Sequence, residues 1–342
     1  MPTISDVAKL AGVSVATVSR VINQKGNVLP KAEEAVRKAI AELNYSPNSI
    51  GRNLRQLKTN RILVLQPSIA NPFYSRVVRG IDWAAGNAGY HIMISDTNLD
   101  ADRELEYLSM LDSHVVDGAI LMTPCHDPDY YREIAARHPL VFCTEDFDHC
   151  PISTATMDNV QAGYDVARYL IGLGHQRIGF LAVYGNKHAV GQRLLGFKRA
   201  LMEAGLPFPD AYFLSGISES DETMSEAASE VTKRFVTLPD RPTALFCTSD
   251  IIAIGVIREL HASGIRVPED VSVFSFDDVY VARLYDPMLT TMYIPKFDLG
   301  CKAVELLLER LKDPNARPRR EVVNHEIRVR ETTRALTADE QG

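Results

Sequence analysis

Three residues near the N-terminus have the chemistry and spacing that suit recognition of DNA bases. Arg20 follows Ala16 by four positions, which places both side chains on one face of a helix, and Val15 lies beside them. Arginine can donate two hydrogen bonds to guanine O6 and N7, whereas valine and alanine can contact a thymine methyl group. The hydroxyls of Ser14 and Thr17 can donate to phosphate oxygens. The alternative is that Arg20 is a solvated surface arginine and Val15 a stray exposed apolar residue.

The pattern around these residues predicts a helix-turn-helix. Apolar residues recur at helical spacing before a turn at Gly12, Ser14 is placed to cap the next helix, and Pro30 can begin a third. The expected helices span Ile4–Ala11, Val15–Asn23 and Lys31–Leu43. Their expected core residues are Val7, Ala8, Leu10, Ala11, Val18, Val21, Ile22, Ala35, Val36, Ile40 and Leu43. Two helices joined by a tight glycine turn and braced by a third define the motif.

The charge of the chain is divided unevenly. Residues 1–61 contain ten basic and four acidic residues and so carry a net charge of +6. The whole chain carries −7, which leaves −13 on residues 62–342. A basic segment in front of an acidic remainder indicates that a polyanion meets the basic segment alone. The alternative, a solvated pair of basic helices, would give the same charge count.

The composition excludes several classes of protein. With 342 residues, 46% of them hydrophobic and 24% charged, the chain is expected to form two or three globular domains. No apolar run could span a bilayer, and no secretory signal is expected from the first residues, so the sequence predicts a cytoplasmic protein. The scattered cysteines are expected to be reduced thiols: Cys125, Cys143, Cys150, Cys247 and Cys301.

One N-terminal stretch resembles a known family. Residues 3–23, TISDVAKLAGVSVATVSRVIN, closely resemble the DNA-binding segment of the LacI/GalR family of bacterial transcriptional repressors. Residues 43–49, LNYSPNS, are similar to that family's passage into its hinge. The resemblance covers essentially the whole chain, and the remainder is most similar to the cytidine and purine repressors of the family.

The resemblance implies roles for the DNA-binding residues. Val15, Ala16 and Arg20 match the positions that determine which bases are recognised, and Leu54 matches a wedge inserted into the minor groove. An apolar side chain there can part a base step and kink the duplex. The implied DNA contacts are Ser14, Val15, Ala16, Thr17, Arg20, Tyr45, Asn48, Leu54 and Arg55. The alternative for Leu54 is a place on the core of its own protein.

Residues 61–342, called the body, alternate short apolar runs with longer helical segments. This alternation, repeated twice, predicts an α/β body of two doubly wound parallel sheets with a cleft between two lobes. The predicted strands are 62–65, 91–95, 118–122, 140–143, 178–183, 212–214, 244–247 and 271–276. The resemblance implies a periplasmic-binding-protein-like architecture, with the chain returning to the first lobe near residues 292–311.

Three segments are therefore expected along the chain. They are an all-α helix-turn-helix domain (1–46), a hinge helix and linker (47–60), and an effector-binding and dimerisation domain (61–342). Lobe 1 is expected to comprise about 61–157 and 292–320, and lobe 2 about 158–291 and 321–334.

The resemblance also implies an effector site in the cleft. GQRLLGF matches the family's ligand-arginine motif and indicates Arg193, while FCTSD and FSFDD indicate Asp250 and Asp277. The implied set is Phe73, Ala189, Arg193, Ile217, Ser249, Asp250 and Asp277. Charged groups suit hydroxyl-rich ligands, and a serine in place of the asparagine of many sugar-responsive relatives favours a nucleoside over a hexose. Arg193 or Asp250 could instead pair within the protein or cap a helix.

No catalytic constellation accompanies these residues. Gly172 and Gly174 precede a predicted strand, whereas a phosphate-binding turn must follow one. Asp277 and Asp278 are adjacent on a strand end, so their side chains are expected to point apart rather than act as an acid–base pair. The nine histidines show no ligand spacing. No catalytic residue, metal or cofactor is expected.

The sequence thus predicts a DNA-binding regulator, most simply a repressor, whose operator affinity is controlled by a sugar or nucleoside. A homodimer would place two such domains on a pseudo-palindromic operator, and no membrane partner is expected. One alternative is a solute-binding receptor, which predicts an export signal and no basic segment. The other is an enzyme acting on nucleosides or sugars, which requires catalytic groups in the cleft.

Overall fold

The computed structural model describes residues 2–22, 28–45, 58–147, 150–183, 188–218 and 223–337. The chain divides into two compact units, Met1–Thr59, called the head, and Asn60–Gly342, which is the body with one more residue at its start. The described residues of the head form three helices, and those of the body form two sheets with helices around them. The predicted fold class is confirmed. Within the described ranges, no helix has both the length and the apolar character that a membrane crossing requires.

The helices of the head are α1 (Ile4–Ala11), α2 (Val15–Ile22) and α3 (Pro30–Glu42). Thr3 and Asp6 form a reciprocal capping box at the start of α1. Gly12 ends α1 with a φ of 66°, a left-handed conformation that glycine adopts without strain. Ser14 then accepts a hydrogen bond from the backbone N–H of Thr17 at 3.2 Å, as expected of an N-cap.

The small core of the head is formed by Val7, Ala8, Val18, Val21, Val36 and Ala39. The inclusion of Leu10 in the predicted core was wrong, because its side chain is 46% exposed. At about 100° per residue, Ala11 lies between Val7 and Ala8 on the packed face of α1, whereas Leu10 lies about 60° beyond Val7, at the edge of that face. Ala39, one turn after Val36, was not predicted and is buried.

The described residues of the body contain these strands: β1 (Arg61–Gln66), β2 (His91–Asp96), β3 (Gly118–Leu121), β4 (Leu140–Cys143), β5 (Ser153–Met157), β6 (Ile178–Ala182), β7 (Phe213–Ser215), β8 (Ala244–Cys247), β9 (Ser272–Asp277), β10 (Thr290–Tyr293), β11 (Arg320–Val323) and β12 (Glu326–Arg328). The helices are α4 (Pro72–Asn87), α5 (Ala101–Asp112), α6 (Pro128–Arg137), α7 (Asn159–Gly172), α8 (His188–Glu203), α9 (Met224–Val236), α10 (Asp250–Ala262) and α11 (Lys296–Lys312).

These strands form two sheets with the same connectivity, one in each lobe. The first has the order β2-β1-β3-β4-β5-β11, and the second has the order β7-β6-β8-β9-β10-β12. Neighbouring strands run parallel except β10 and β12, which pair antiparallel. The predicted parallel sheets are therefore confirmed, with one antiparallel strand at the edge of the second. In each sheet the direction in which successive strands are added reverses once, between β1 and β3 in the first sheet and between β6 and β8 in the second. The carboxyl ends of strands at such a reversal are where open α/β sheets bind ligands.

Along the described residues the chain passes between the sheets three times, after Met157, Tyr293 and Val323. The second passage was predicted slightly early, near residue 292, because Met292 and Tyr293 still pair with β9. The third passage, predicted after residue 320, was also placed too early, because Arg320–Val323 pairs with β5 of the first sheet. Hydrophobic periodicity does not indicate which sheet a short strand joins.

Strands β5, β10, β11 and β12 were not predicted. β5 is entirely buried but rich in hydroxyl groups. The hydroxyl of Thr154 donates to the carbonyl oxygen of Ile152, and that of Thr156 donates to the carbonyl oxygen of Thr144. β11 and β12 have four and three residues and carry charged side chains. A strand of that length shows too few alternations for its pattern to be recognised.

In each lobe two helices approach so closely that only glycine fits between them. In the first lobe, a Cβ atom added to Gly80 of α4 would lie 2.0 Å from the carbonyl oxygen of Phe297 in α11. In the second, a Cβ atom added to Gly163 of α7 would lie 2.0 Å from the carbonyl oxygen of Arg193 in α8. The contact between α7 and α8 therefore fixes the position of the Arg193 backbone.

We expect Gly163→Ala to destabilise the body by about 2 kcal/mol or more, because the added methyl group meets backbone atoms that cannot rotate away. Gly172→Ala is the matched control, since it lies in the same helix and its added Cβ atom meets nothing within 4 Å. Urea unfolding followed by circular dichroism measures both. Equal free energies of unfolding for the two variants would contradict the close contact.

Candidate nucleic-acid interface and ligand cleft

The outer face of α2 brings together residues that were expected to contact DNA. The exposed members are Ser14, Val15, Ala16 and Arg20. Val18 and Val21 point the other way, into the core of the head, and so fix which face of α2 is outward. The hydroxyls of Ser14 and Thr17 lie 2.9 Å apart and hydrogen-bond to each other at the helix start. One arginine and two small apolar side chains thus share one accessible helical face.

The other expected DNA contacts lie after α3. Tyr45 packs against the core of the head, and its backbone N–H donates to the carbonyl oxygen of Ile40 at 2.9 Å. Asn48, Leu54 and Arg55 lie outside the described residues. Their proposed contacts therefore depend on the sequence alone.

A cleft opens in the body where the carboxyl ends of strands from the two sheets face each other. The first lobe contributes Asn71, Phe73, Tyr74, Thr144, Glu145 and Met157. The second lobe contributes Ala189, Val190, Arg193, Thr248, Ser249 and Asp277. Including its open mouth the cleft has a volume of about 630 Å³. Among the described residues, no cluster of histidine, cysteine or acidic side chains could hold a metal ion.

Arg193 is the cation of this cleft. Its Nε donates to Oδ1 of Asn159 at 2.9 Å, and its Nη1 donates to the carbonyl oxygen of Thr248 at 3.1 Å. The guanidinium carbon lies 3.7 Å from the centre of the Phe276 ring, a cation–π contact. In the described part of the chain no group accepts a hydrogen bond from Nη2. Arg193 is thus held by three groups and retains donors for a ligand.

Two carboxylates accompany this cation. Burial lowers the pKa of Arg193, while the charges of Asp277 and Glu145 oppose that shift. Glu145, in the first lobe, accepts a hydrogen bond at 2.9 Å from the backbone N–H of Ala189, at the start of α8 in the second lobe. A carboxylate at a helix N-terminus is favoured by the helix dipole. The cleft therefore contains one positive and two negative groups, and one of the negative groups joins the lobes.

One of these carboxylates, that of Asp277, lies on strained backbone. Asp277 has a φ of 103° and Asp278 a φ of 49°, both in regions that non-glycine residues rarely adopt. Such conformations cost about 1–3 kcal/mol each and persist only where the surroundings hold them. The position of Asp277 at the end of β9 is thus imposed by its neighbours.

Five of the seven expected effector residues line the cleft: Phe73, Ala189, Arg193, Ser249 and Asp277. Phe73 meets the ring of Tyr74 edge-on, with ring centres 5.2 Å apart. Ser249 accepts a hydrogen bond from the backbone N–H of Ile252 at 3.2 Å and so caps α10. Ile217 is 83% exposed and does not line the cleft, so its predicted place there is not supported.

The prediction that Asp250 contacts the effector does not fit its position, because its side chain is fully buried and does not line the cleft. Its carboxylate accepts hydrogen bonds from the Ser275 hydroxyl (2.5 Å), the Thr291 hydroxyl (2.8 Å) and the Val279 backbone N–H (2.7 Å). These bonds tie the start of α10 to β9 and β10. Burial and the charge of Asp277 raise the pKa of Asp250 to about 7. Asp250 organises the second lobe.

The sequence reasoning missed several functional residues, among them Tyr74, Glu145 and Thr248, which line the cleft, and Asn159, which is buried and holds Arg193. Tyr74 and Thr248 are chain neighbours of residues that were identified. Glu145 follows the predicted strand 140–143 by two positions, and a polar side chain just beyond a strand of a doubly wound sheet is a usable signal. Asn159 offered no such signal, because it reaches Arg193 only through the packing of α7 on α8.

Comparison with known proteins identifies the family. Residues 3–48 match the bacterial regulatory proteins of the lacI family, and residues 167–333 match the periplasmic binding protein-like domain. The chain is 35% identical to the HTH-type transcriptional repressor PurR of Photobacterium profundum, over 98% of this chain and 100% of that protein. The chain belongs to the LacI family.

Further relatives agree with this membership. The LacI-family chain is 33% identical to the HTH-type transcriptional repressor CytR of Escherichia coli (strain K12), over 98% of this chain and 97% of that protein. The lac repressor dimer bound to operator and the anti-inducer ONPF matches with a TM-score of 0.83 and 27% identity, over 98% of this chain and 99% of that one. The predicted family, near the cytidine and purine repressors, is confirmed.

This LacI-family chain is a DNA-binding transcriptional regulator controlled by a small metabolite. Its relatives are named as transcriptional repressors. Neither the solute-binding receptor nor the enzyme considered from the sequence finds support among them.

The raised pKa of Asp250 has a consequence for stability. Because that pKa lies above the ordinary 3.8, the folded protein binds more protons than the unfolded chain between about pH 4 and 7. The contribution of Asp250 to stability is therefore largest at low pH and falls as the pH rises through this window. We expect Asp250→Asn to remove a downward slope of up to about 1.4 kcal/mol per pH unit.

Urea unfolding at pH 4.5, 5.5, 6.5 and 7.5 measures this difference between the wild type and Asp250→Asn. Asp210→Asn is the control for loss of one carboxylate, because Asp210 is exposed and lies in the same lobe. Stability profiles for wild type and Asp250→Asn that run parallel over the window would count against the raised pKa.

Proposed function

We propose that the protein is a cytoplasmic, homodimeric repressor that binds a pseudo-palindromic operator and changes its operator affinity when a neutral metabolite occupies the cleft. The observation that supports base recognition is the accessible face of α2, on which Arg20 and Ala16 lie one turn apart beside Val15. A helix with such a face fits the major groove. Two-fold symmetry in the protein would require two half-sites of the same sequence.

The distribution of charge supports the same division of labour. Residues 1–61 carry +6 and the remainder carries −13, so the phosphate backbone attracts the N-terminal segment and repels the body. Phosphate contacts by Ser14, Thr17, Tyr45, Asn48 and Arg55 would set the register of the head on DNA. Leu54 would act as the minor-groove wedge.

The charges in the cleft favour a neutral effector. Glu145 and Asp277 outnumber Arg193, so a phosphate group would enter net negative surroundings. The same groups form strong hydrogen bonds with neutral hydroxyls and amides, and Phe73 offers a ring face for stacking. A sugar or a nucleoside has both features. The Ser249 hydroxyl accepts the capping hydrogen bond at the start of α10, and a serine lacks the paired donor and acceptor of an asparagine side chain. This favours a nucleoside over a simple hexose as the effector.

The contact between Glu145 and Ala189 provides a route from effector to operator. It joins the lobes beside Arg193, so a ligand that bonds to Arg193 and stacks on Phe73 must favour one separation of the lobes. A change in that separation would alter the spacing of the two hinges in a dimer. Such coupling between sites is typically worth about 1–3 kcal/mol.

We expect Arg20→Ala to abolish discrimination at one guanine in each half-site, at a cost of about 1–3 kcal/mol, because a bidentate contact to O6 and N7 is lost. Electrophoretic mobility shifts on the protein's own promoter, with each base pair of the half-site varied in turn, measure this. Uniform weakening on all sequences would instead assign Arg20 to phosphate contact.

We expect Arg193→Ala to remove the response to the effector while the fold is retained. A thermal-shift screen with cytidine, adenosine, hypoxanthine, ribose, cellobiose and ribose 5-phosphate tests the wild type first, and at least one neutral compound should raise Tm. Arg199→Ala is the matched control, because Arg199 is exposed on the same helix. Stabilisation by ribose 5-phosphate alone would contradict the neutral effector, and an unchanged response in Arg193→Ala would contradict the role of Arg193.

A further inference from the structure

A buried lysine forms hydrogen bonds with the backbone of the segment that contains Asp277. Lys296 is 6% exposed, and its ammonium group donates to the backbone carbonyl oxygens of Asp277, Asp278 (3.2 Å) and Ile294 (3.2 Å). These three bonds use every N–H of the ammonium group. All three acceptors are backbone carbonyl oxygens, while the carboxylates of Asp277, Asp250 and Asp278 act on the ammonium group through their charges.

The location of Lys296 connects the two lobes. It is the first residue of α11, whose next residue packs against Gly80 in the first lobe. The carbonyls of Asp277 and Asp278 belong to the end of β9 and the turn that follows it, in the second lobe. Ile294 lies on the passage between the sheets. One side chain thus joins a first-lobe helix to the strand end that presents a cleft carboxylate.

The strained backbone at this strand end requires such a restraint. The positive φ angles of Asp277 and Asp278 persist only if surrounding groups hold them. Arg330 holds the Asp278 carboxylate at 2.6 Å, and the Thr291 hydroxyl accepts from the Asp278 N–H at 3.3 Å. Lys296 acts on the carbonyl of Asp277 itself. Loss of its ammonium group would leave a half-buried carbonyl on strained backbone without this donor.

We propose that Lys296 is a positioning residue for effector binding: by holding the carbonyls of Asp277 and Asp278, it keeps the Asp277 carboxylate directed into the cleft. It does so from the first lobe, so the direction of that carboxylate depends on the relative position of the lobes. This inference rests on the proposed function, in which Asp277 contacts the effector.

Crystal structures of the full chain without added ligand test the geometric part. In Lys296→Met the side chain keeps much of its apolar volume and loses its donors, and we expect φ of Asp277 to leave the positive region. Lys302→Met is the matched control, because Lys302 lies on the same helix and pairs with Glu321 at 3.1 Å. A φ of Asp277 near 103° in Lys296→Met would overturn the proposal.

Isothermal titration with the neutral compounds of the thermal-shift panel tests the binding part. We expect Lys296→Met to raise the Kd of a compound that binds the wild type at least tenfold, Lys296→Gln to raise it less, and Lys302→Met to leave it within twofold. A packing role predicts the opposite order, since glutamine fills the site less well than methionine. That opposite order, or a Kd for Lys296→Met within twofold of the wild type, would refute positioning by Lys296.

A double-mutant cycle connects the effect to Asp277. If Lys296 acts through that carboxylate, Asp277→Asn combined with Lys296→Met should bind no more than about twofold more weakly than Asp277→Asn alone. Fully multiplicative losses would overturn the proposal. If no panel compound binds the wild type, the effector class under the proposed function fails, whereas the structure of Lys296→Met still decides the role of Lys296.

Discussion

The effector cleft depends on one half-buried cation, Arg193, and on the groups that hold it in position. The close approach of α8 to Gly163 fixes its backbone, and Asn159 and the carbonyl of Thr248 accept two of its donors. Phe276 lies under its guanidinium. An arginine cannot be neutralised at ordinary pH, so a cleft that contains one must supply such partners. These partners come from three different parts of the second lobe, and together they hold the guanidinium group in place in the cleft.

Three aspartates of similar sequence context have different roles because their surroundings differ. Asp250 is buried and saturated by donors from β9, β10 and the turn after β9, so it organises the second lobe. Asp277 lines the cleft on strained backbone. Asp278, its neighbour, is buried and pairs with Arg330 at 2.6 Å. A carboxylate beyond a strand end can therefore be a ligand contact or a structural tie, and only its donors decide between them.

Both lobes use the same sheet order, and this repetition makes a two-sided cleft. Because the carboxyl ends of the strands face each other, Phe73 and Glu145 of one lobe lie across from Arg193 and Asp277 of the other. The bond from Ala189 to Glu145 and the passages after Met157, Tyr293 and Val323 connect the two halves. A ligand between them contacts both halves at once, which is the condition for coupling occupancy to their separation.

The helix-turn-helix and the alternation of strands and helices could be predicted from the residues alone, since capping residues and periodicity are carried by neighbours in the chain. Arg193 was indicated by the resemblance of a short local motif to the LacI/GalR family. Only the folded chain shows that Asp250 is internal, that β11 returns to the first sheet, and that Asn159 and Lys296 reach the cleft region. The physical reason is distance along the chain. Each of these roles depends on partners that lie tens of residues away in the chain. No local sequence pattern indicates which distant strand or helix will pack against a given residue.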